Sequence, residues 1–189
     1  MKNEDMGIFT ELISCKDLIL PKVEQIEDMR QFMSDPKNFN GDINELTDRL
    51  EAKTQQCRKV LKVLQDRLRL KKEAIQKVKE DVLELESEMK KPEGNIRFLT
   101  NHEKVKIRFL DETITWEHSV PEALERYSIK MSSLHSEIMA LDSDVDSVTY
   151  LTGVSQVNVN YVKDWYKKET EDKEGKTSTE SIGDGPQSA

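Results

Sequence analysis

Aromatic side chains occupy only 6% of this 189-residue chain, and there are just seven glycines and five prolines. Apolar residues make up 35% and charged residues another 35%, which leaves too little large apolar surface for one broad core. The rarity of glycine and proline leaves long segments without a helix breaker. These shortages weigh against an ordinary globular domain and favour long helices that bury a narrow stripe. Nowhere does the chain approach the roughly 18 consecutive apolar residues of a membrane span. The N-terminal stretch also has no basic region leading into an apolar run, so neither a secretory signal nor a membrane segment is expected.

Groups that carry chemistry are equally sparse. Cys15 and Cys57 lie far apart and in no metal-ligand spacing, which suits reduced thiols in a cytosolic or nuclear protein and not a disulfide framework. His102, His118 and His135 form no i,i+4 pair and have no cysteine nearby, so no zinc or catalytic role is expected of them. Glycine-rich phosphate loops are missing; Asn40-Gly41, Glu93-Gly94 and Thr152-Gly153 are isolated turn or cap signals. Carboxylates such as Glu84, Glu86 and Glu88, or Asp142, Asp144 and Asp146, alternate in sequence and so spread around a helix as a solvated face. The chain reads as non-enzymatic, with no metal and no cofactor.

What is present is periodicity. From Ile43, two interleaved apolar series repeat every seven residues. One is Ile43, Leu50, Cys57, Leu64, Lys71, Val78, Leu85 and the other Thr47, Thr54, Leu61, Leu68, Ile75, Val82, Met89. Alternating steps of three and four keep one stripe facing a partner as helices wind, which predicts a coiled-coil helix over residues 43–91, about 70 Å long at roughly 1.5 Å per residue. The early threonines suggest a looser start. "KKPEGN", residues 90–95, ends the helix with a proline and a glycine.

After it, "VKIRFLDETITWEH" shifts to period two and predicts a small hairpin turning near residues 110–112, inside an interruption over residues 92–118. Two strands alone are marginal, so another surface must cover them. Ser119, Pro121 and Glu122 then form a capping box for a second coiled-coil helix over residues 119–152. Its stripe is Val120, Leu124, Tyr127, Met131, Leu134, Ile138, Leu141, Val145 and Val148, and its outer face carries Glu125, Glu137, Asp142, Asp144 and Asp146. Folding back as an antiparallel hairpin and pairing with a second protein both remain open.

At the ends, residues 1–42 suggest two short amphipathic helices that meet near Pro21, followed by the turn-rich loop "SDPKNFNGD" at 34–42. Gly153 reads as a helix stop. Residues 153–168 follow as a short strand near 157–162 or a resumed helix, and residues 169–189 as a disordered tail. The expected fold is mainly α, an elongated coiled coil with a short β-hairpin-like interruption and a disordered C-terminal tail.

The stretch "CRKVLKVLQDRLRLKKEAIQKVK", residues 57–79, holds nine basic and two acidic residues in a chain of net charge −8. Lys62 and Arg69 flank the seam, where an acidic helix could pair with them and select partner and register. A nucleic-acid-binding role for this helix is the alternative, since counterion release rewards the same charge, but no interleaved aromatics accompany it. Lys71 interrupts the seam. A lysine there is costly in a homodimer and tolerated by a different partner with an acidic residue at that layer, unless it snorkels outward. The expected partner-binding seam is Leu61, Leu64, Leu68, Lys71, Ile75, Val78, Val82 and Leu85, with Tyr127, Leu134, Ile138 and Leu141 as a second contact.

The segments "CRKVLKVLQDRLRLKKEAIQKVKEDVLELESEM" and "SLHSEIMALDSDVDSVTYLTGVSQVNVNY" resemble the small coiled-coil subunits of chromosome-segregation machinery, the Spc24/Spc25 type of outer-kinetochore subunit, over about half the chain. That resemblance implies a structural part of a hetero-oligomer, with other coiled-coil subunits as partners, that links centromeric chromatin to microtubules. It implies a nuclear, kinetochore or chromosomal location, with cytoplasm or cytoskeleton as the alternative, and no membrane partner.

Overall fold

The computed structural model describes residues 12–13, 15–89 and 104–177. The protein is mainly helical, in the order α1 (Met29–Ser34), α2 (Ile43–Met89), β1 (Lys104–Ile107), β2 (Trp116–Ser119) and α3 (Val120–Thr177). Residues 90–103 and 178–189 lie outside the described part, and with them the proline–glycine interruption and most of the expected tail. The described chain divides into two compact units. One contains residues 19–59 and 148–177, the other residues 12–18, 60–89 and 104–147.

In the first unit, the loop before α2 is built as its composition dictates. Asp35 Oδ1 accepts from Lys37 N–H, Asn40 Oδ1 accepts from Asp42 N–H, and Gly41 sits at φ +102°, a conformation that side chains rarely adopt. Asp42 then caps α2, its Oδ1 accepting from Asn44 N–H at 2.8 Å. α1 is capped in the same way by Asp28, which accepts from Gln31 N–H at 3.0 Å. The core joins Met29 and Met33 of α1, Leu46 of α2 and Val162 of α3, with Phe39 edge-on to Tyr166 at 6.4 Å. Pairing of Glu51 with Lys163 and of Thr54 with Ser155 shows α2 and α3 running antiparallel.

The expected helix after Pro21 is present only as the short α1, and residues 19–27 before it run without helix; the other expected helix falls largely on residues 1–11 and 14, outside the described part. Gly153 does not stop α3, and of the two forms left open for residues 153–168 the structure has the helix. Val159 and Val162 are buried beside Leu151, Ser155 and Asn158, a helical spacing whose burial outweighs both the β preference of the valines and the roughly 1 kcal/mol cost of an exposed helical glycine. Residues 169–177, assigned to the tail, belong to α3.

In the second unit, Lys71 meets Glu137, and Leu85 lies beside Tyr127, so α2 and α3 again run antiparallel. β1 and β2 pair antiparallel with Ile107 opposite Trp116 nearest the turn. Strand pairing begins at Trp116, so Ile114 falls in the connection and is exposed. The third surface that a two-stranded hairpin needs is supplied by the helices. Ile107 and Phe109 share one cluster with Ala74, Val78 and Leu85 of α2 and with Val120, Ala123, Tyr127 and Leu134 of α3. Phe109 meets Tyr127 edge-on at 5.7 Å. Half of the capping box forms: Glu122 Oε2 reaches back to the N–H of Ser119 at 2.9 Å, and the Ser119 hydroxyl donates to the same oxygen at 2.8 Å.

Candidate functional site

The stripes chosen from the sequence turn inward. Leu64, Val78, Leu85, Tyr127, Leu134 and Leu141 are buried, and Leu61, Leu68, Ile75, Val82 and Ile138 are half-buried. The helix covering the α2 seam is the chain's own α3. These residues are therefore core residues of the second unit, and the partner helix expected for them is already present in the same chain. The same closure supplies Lys71 with counter-charges: its Nζ lies 3.0 Å from Asp111 and 2.7 Å from Glu137, with Lys130 bonding the same Asp111 at 2.9 Å.

This network has readable electrostatics. Burial pulls the Lys71 ammonium toward deprotonation, but the bonds to Glu137 and Asp111 outweigh it, so its pKa stands above the ordinary 10.5. Burial likewise raises Asp111, and the lysine bonds from Lys130 and Lys71 more than reverse it, so its pKa lies below 3.8. Lys71 is thus matched by carboxylates within its own chain. Most of the basic stretch is matched in the same way. Arg67 binds Asp17 at 2.7 Å, Arg69 binds Glu73, Lys72 binds Asp142 and Lys77 binds Asp81.

Among the described residues the thiols and histidines form no metal-binding cluster. Cys15 and Cys57 are buried and in no disulfide, and burial raises the pKa of Cys57. Cys15 Sγ accepts from Arg67 at 2.8 Å. His118 stacks on Trp116, whose ring also carries the Arg126 guanidinium at 3.8 Å; His135 is exposed and His102 lies outside the described residues. Among the described residues no cluster of His, Cys, Asp and Glu could hold a metal ion, and no helix is long and apolar enough to cross a membrane.

Two features of the first unit were missed by sequence reasoning. The first is a buried polar layer. Thr54 Oγ1 lies 2.7 Å from Ser155 Oγ and also bonds back to Leu50 O, while Asn158 is 4% exposed. The apparent weakness of Thr54 in the seam is therefore a satisfied contact. In the second unit Asp144 is buried too, accepting from Ile13 N–H at 2.9 Å, and so does not belong to the solvated face assigned to it.

The second missed feature is an open seam. Residues 148–162 are fifteen consecutive residues without a charge in a chain where 35% are charged. One face of this segment is the core. The other presents Tyr150 at 67%, Val157 at 55% and Tyr161 at 40% exposure, with Val154 half-buried between them. Steps of four, three and four place the four side chains on one stripe, about 120° around the helix from the core at roughly 100° per residue. The signal was legible as a charge gap, but with strand and helix both open for residues 153–168 its helical stripe was not defined.

The fold and this surface define a helical protein that carries a buried seam and, in its first unit, a second, uncovered one. Comparison with protein-family models, with curated proteins and with solved structures finds no match to this chain.

Proposed function

We propose that this chain is a non-enzymatic assembly subunit that receives a helix of a different protein on the uncovered α3 stripe of its first unit. The observation that carries this reading is the charge-free stripe Tyr150, Val154, Val157 and Tyr161, at coiled-coil spacing on a helix whose other face is already buried. A helix that is apolar on two faces is normally buried on both. Exposed tyrosines are characteristic anchors of protein interfaces, because a large ring is buried while its hydroxyl stays wet. A chromosome-segregation complex in the nucleus is the setting implied by the sequence resemblance, and the partner is sought there first. The five in-chain carboxylate pairings of the basic stretch reduce the gain that nucleic acid would draw from it.

The test compares the native chain with a Tyr150→Glu, Val157→Glu variant. Co-purification of a defined partner subunit from cells is expected to be lost in the variant, with unchanged far-UV circular dichroism. Equal recovery of the partner by both chains would remove the stripe from the mechanism. Leu64 and Leu68 are unsuitable for this purpose, because charge at the fully buried Leu64 unfolds the helix pair before it reports on any partner.

A further inference from the structure

Residues 19–27 cross the α2–α3 groove of the first unit as a strap without helix, and the helices hold it both by its main chain and by half-buried side chains such as Val23 and Ile26. Asn158, buried at 4% exposure, presents both ends of its side-chain amide. Its Nδ2 donates to Glu24 O at 2.7 Å and its Oδ1 accepts from Ile26 N–H at 3.0 Å. That two-bond pattern is what a neighbouring β-strand offers to residues i and i+2. Lys53 Nζ donates to Lys22 O at 3.2 Å, and Gln56 Nε2 donates to Ile19 O at 3.3 Å. Side chains that grip carbonyls and amides read the extended conformation and little of the sequence.

The strap fills this groove only in part. Leu20, Pro21, Val23 and Ile26 are half-buried, but Ile19 is 81% exposed, Glu24 and Gln25 face solvent, and a cavity of about 340 Å³ lies against Lys22, Val23 and Ile26. The helix and loop side of that cavity carries Lys37, Arg49 and Lys53 around Leu50. The strap brings another cation, Lys22, to that basic wall, and its ammonium is paired with the strap's own Glu24 at 3.2 Å. A better occupant would place a carboxylate where Lys22 lies and a larger apolar side chain where Val23 lies.

We propose that this groove is a binding site for an extended acidic peptide segment of a partner protein, and that residues 19–27 are the chain's own weaker occupant, displaced on binding. The clamp supplies affinity through the peptide backbone, and the basic cavity supplies selectivity. This site is separate from the α3 stripe of the proposed assembly function, and either can fail without the other.

The experiment uses the full chain and two fluorescein-labelled peptides, one with the native sequence of residues 18–28 and one carrying Lys22→Glu and Val23→Phe. Fluorescence anisotropy is expected to show saturable binding of the acidic peptide about tenfold tighter than the native one. Hydrogen exchange of amides 19–27 is expected to accelerate when the acidic peptide is added, as the strap leaves. In the Asn158→Ala chain strap and peptides lose the same two bonds, so exchange at 19–27 is expected to be fast even without peptide while the ratio between the two peptides is kept. Lys53→Glu, an exposed change that keeps the helix intact, is expected to reverse the preference between the peptides even if Asn158→Ala impairs folding. Absence of saturable binding by the acidic peptide, or binding without faster exchange at 19–27, overturns the proposal. So does a preference that Lys53→Glu leaves unchanged.

Discussion

Gly153→Ala is the sharpest single test of how α3 is built. Gly153 lies within a helix that runs from Val120 to Thr177, and a Cβ added there meets no atom within 4 Å. No contact is gained or lost, so the effect is that of backbone freedom alone. Alanine is better than glycine in an exposed helix interior by about 0.8–1 kcal/mol. With a urea slope of about 2 kcal/mol/M, the unfolding midpoint is expected to rise by roughly 0.4 M, and the melting temperature by about 2–4 °C. Gly153→Pro removes a helical hydrogen bond and clashes with the preceding turn, and is expected to cost about 3 kcal/mol. Gly41 provides the opposite control. Its φ of +102° makes Gly41→Ala destabilising by roughly 1–2 kcal/mol although its surroundings are equally open. Urea titrations of the three variants followed by circular dichroism at 222 nm decide the matter. A fall in midpoint for Gly153→Ala, or tolerance of Gly153→Pro, would mean that the helix stops at Gly153 and that the buried spacing of Leu151, Ser155 and Val159 is not what holds it.

Three further outcomes follow from the second unit. Phe109→Ala empties a 3%-exposed position between the hairpin and both helices and is expected to cost about 3 kcal/mol in chemical denaturation, because a cavity replaces the ring against Tyr127. Lys71→Met is expected to destabilise by only about 1 kcal/mol, since the network is partly solvated and Asp111 keeps Lys130. Because the folded pKa of Asp111 lies below its unfolded value near 3.8, its stabilising contribution is present above that pH and is lost as pH falls through the folded value; the variant's acid limb should therefore be shallower in denaturation measured from pH 5 down to about 2. Burial first, and the nearby Asp81 and Glu84 second, push the Tyr127 phenol up to about 12. Ultraviolet titration at alkaline pH is expected to show one late tyrosine, missing in Tyr127→Phe, and the stability tied to the neutral phenol is lost as pH rises from about 10 toward that value.

Lys71 shows where sequence reasoning stops. Its place in the seam and its need for an acidic counterpart are legible from the heptad series. The identity of that counterpart is not, because Asp111 and Glu137 lie 40 and 66 residues away and reach it only through the hairpin and the antiparallel α3. The same limit applies to Asn158 and Asp144. A polar residue in an amphipathic pattern looks solvated until another part of the chain supplies it with main-chain partners.

Local rules determined much of this protein from its sequence alone. These are the long helix from Ile43, the caps at Asp42 and Ser119, and the turn at Gly41, each fixed by residues within a few positions of one another, together with the alternating pattern of the hairpin, whose cover the helices supply. Only the tertiary structure decided that the α2 seam is closed by the chain's own α3, that α3 continues through Gly153, and that residues 19–27 cross a groove without helix. Those outcomes depend on which distant surfaces meet, and burying Val159 and Val162 against them, with Asn158 satisfied by main-chain bonds, outweighs the local preferences that pointed elsewhere.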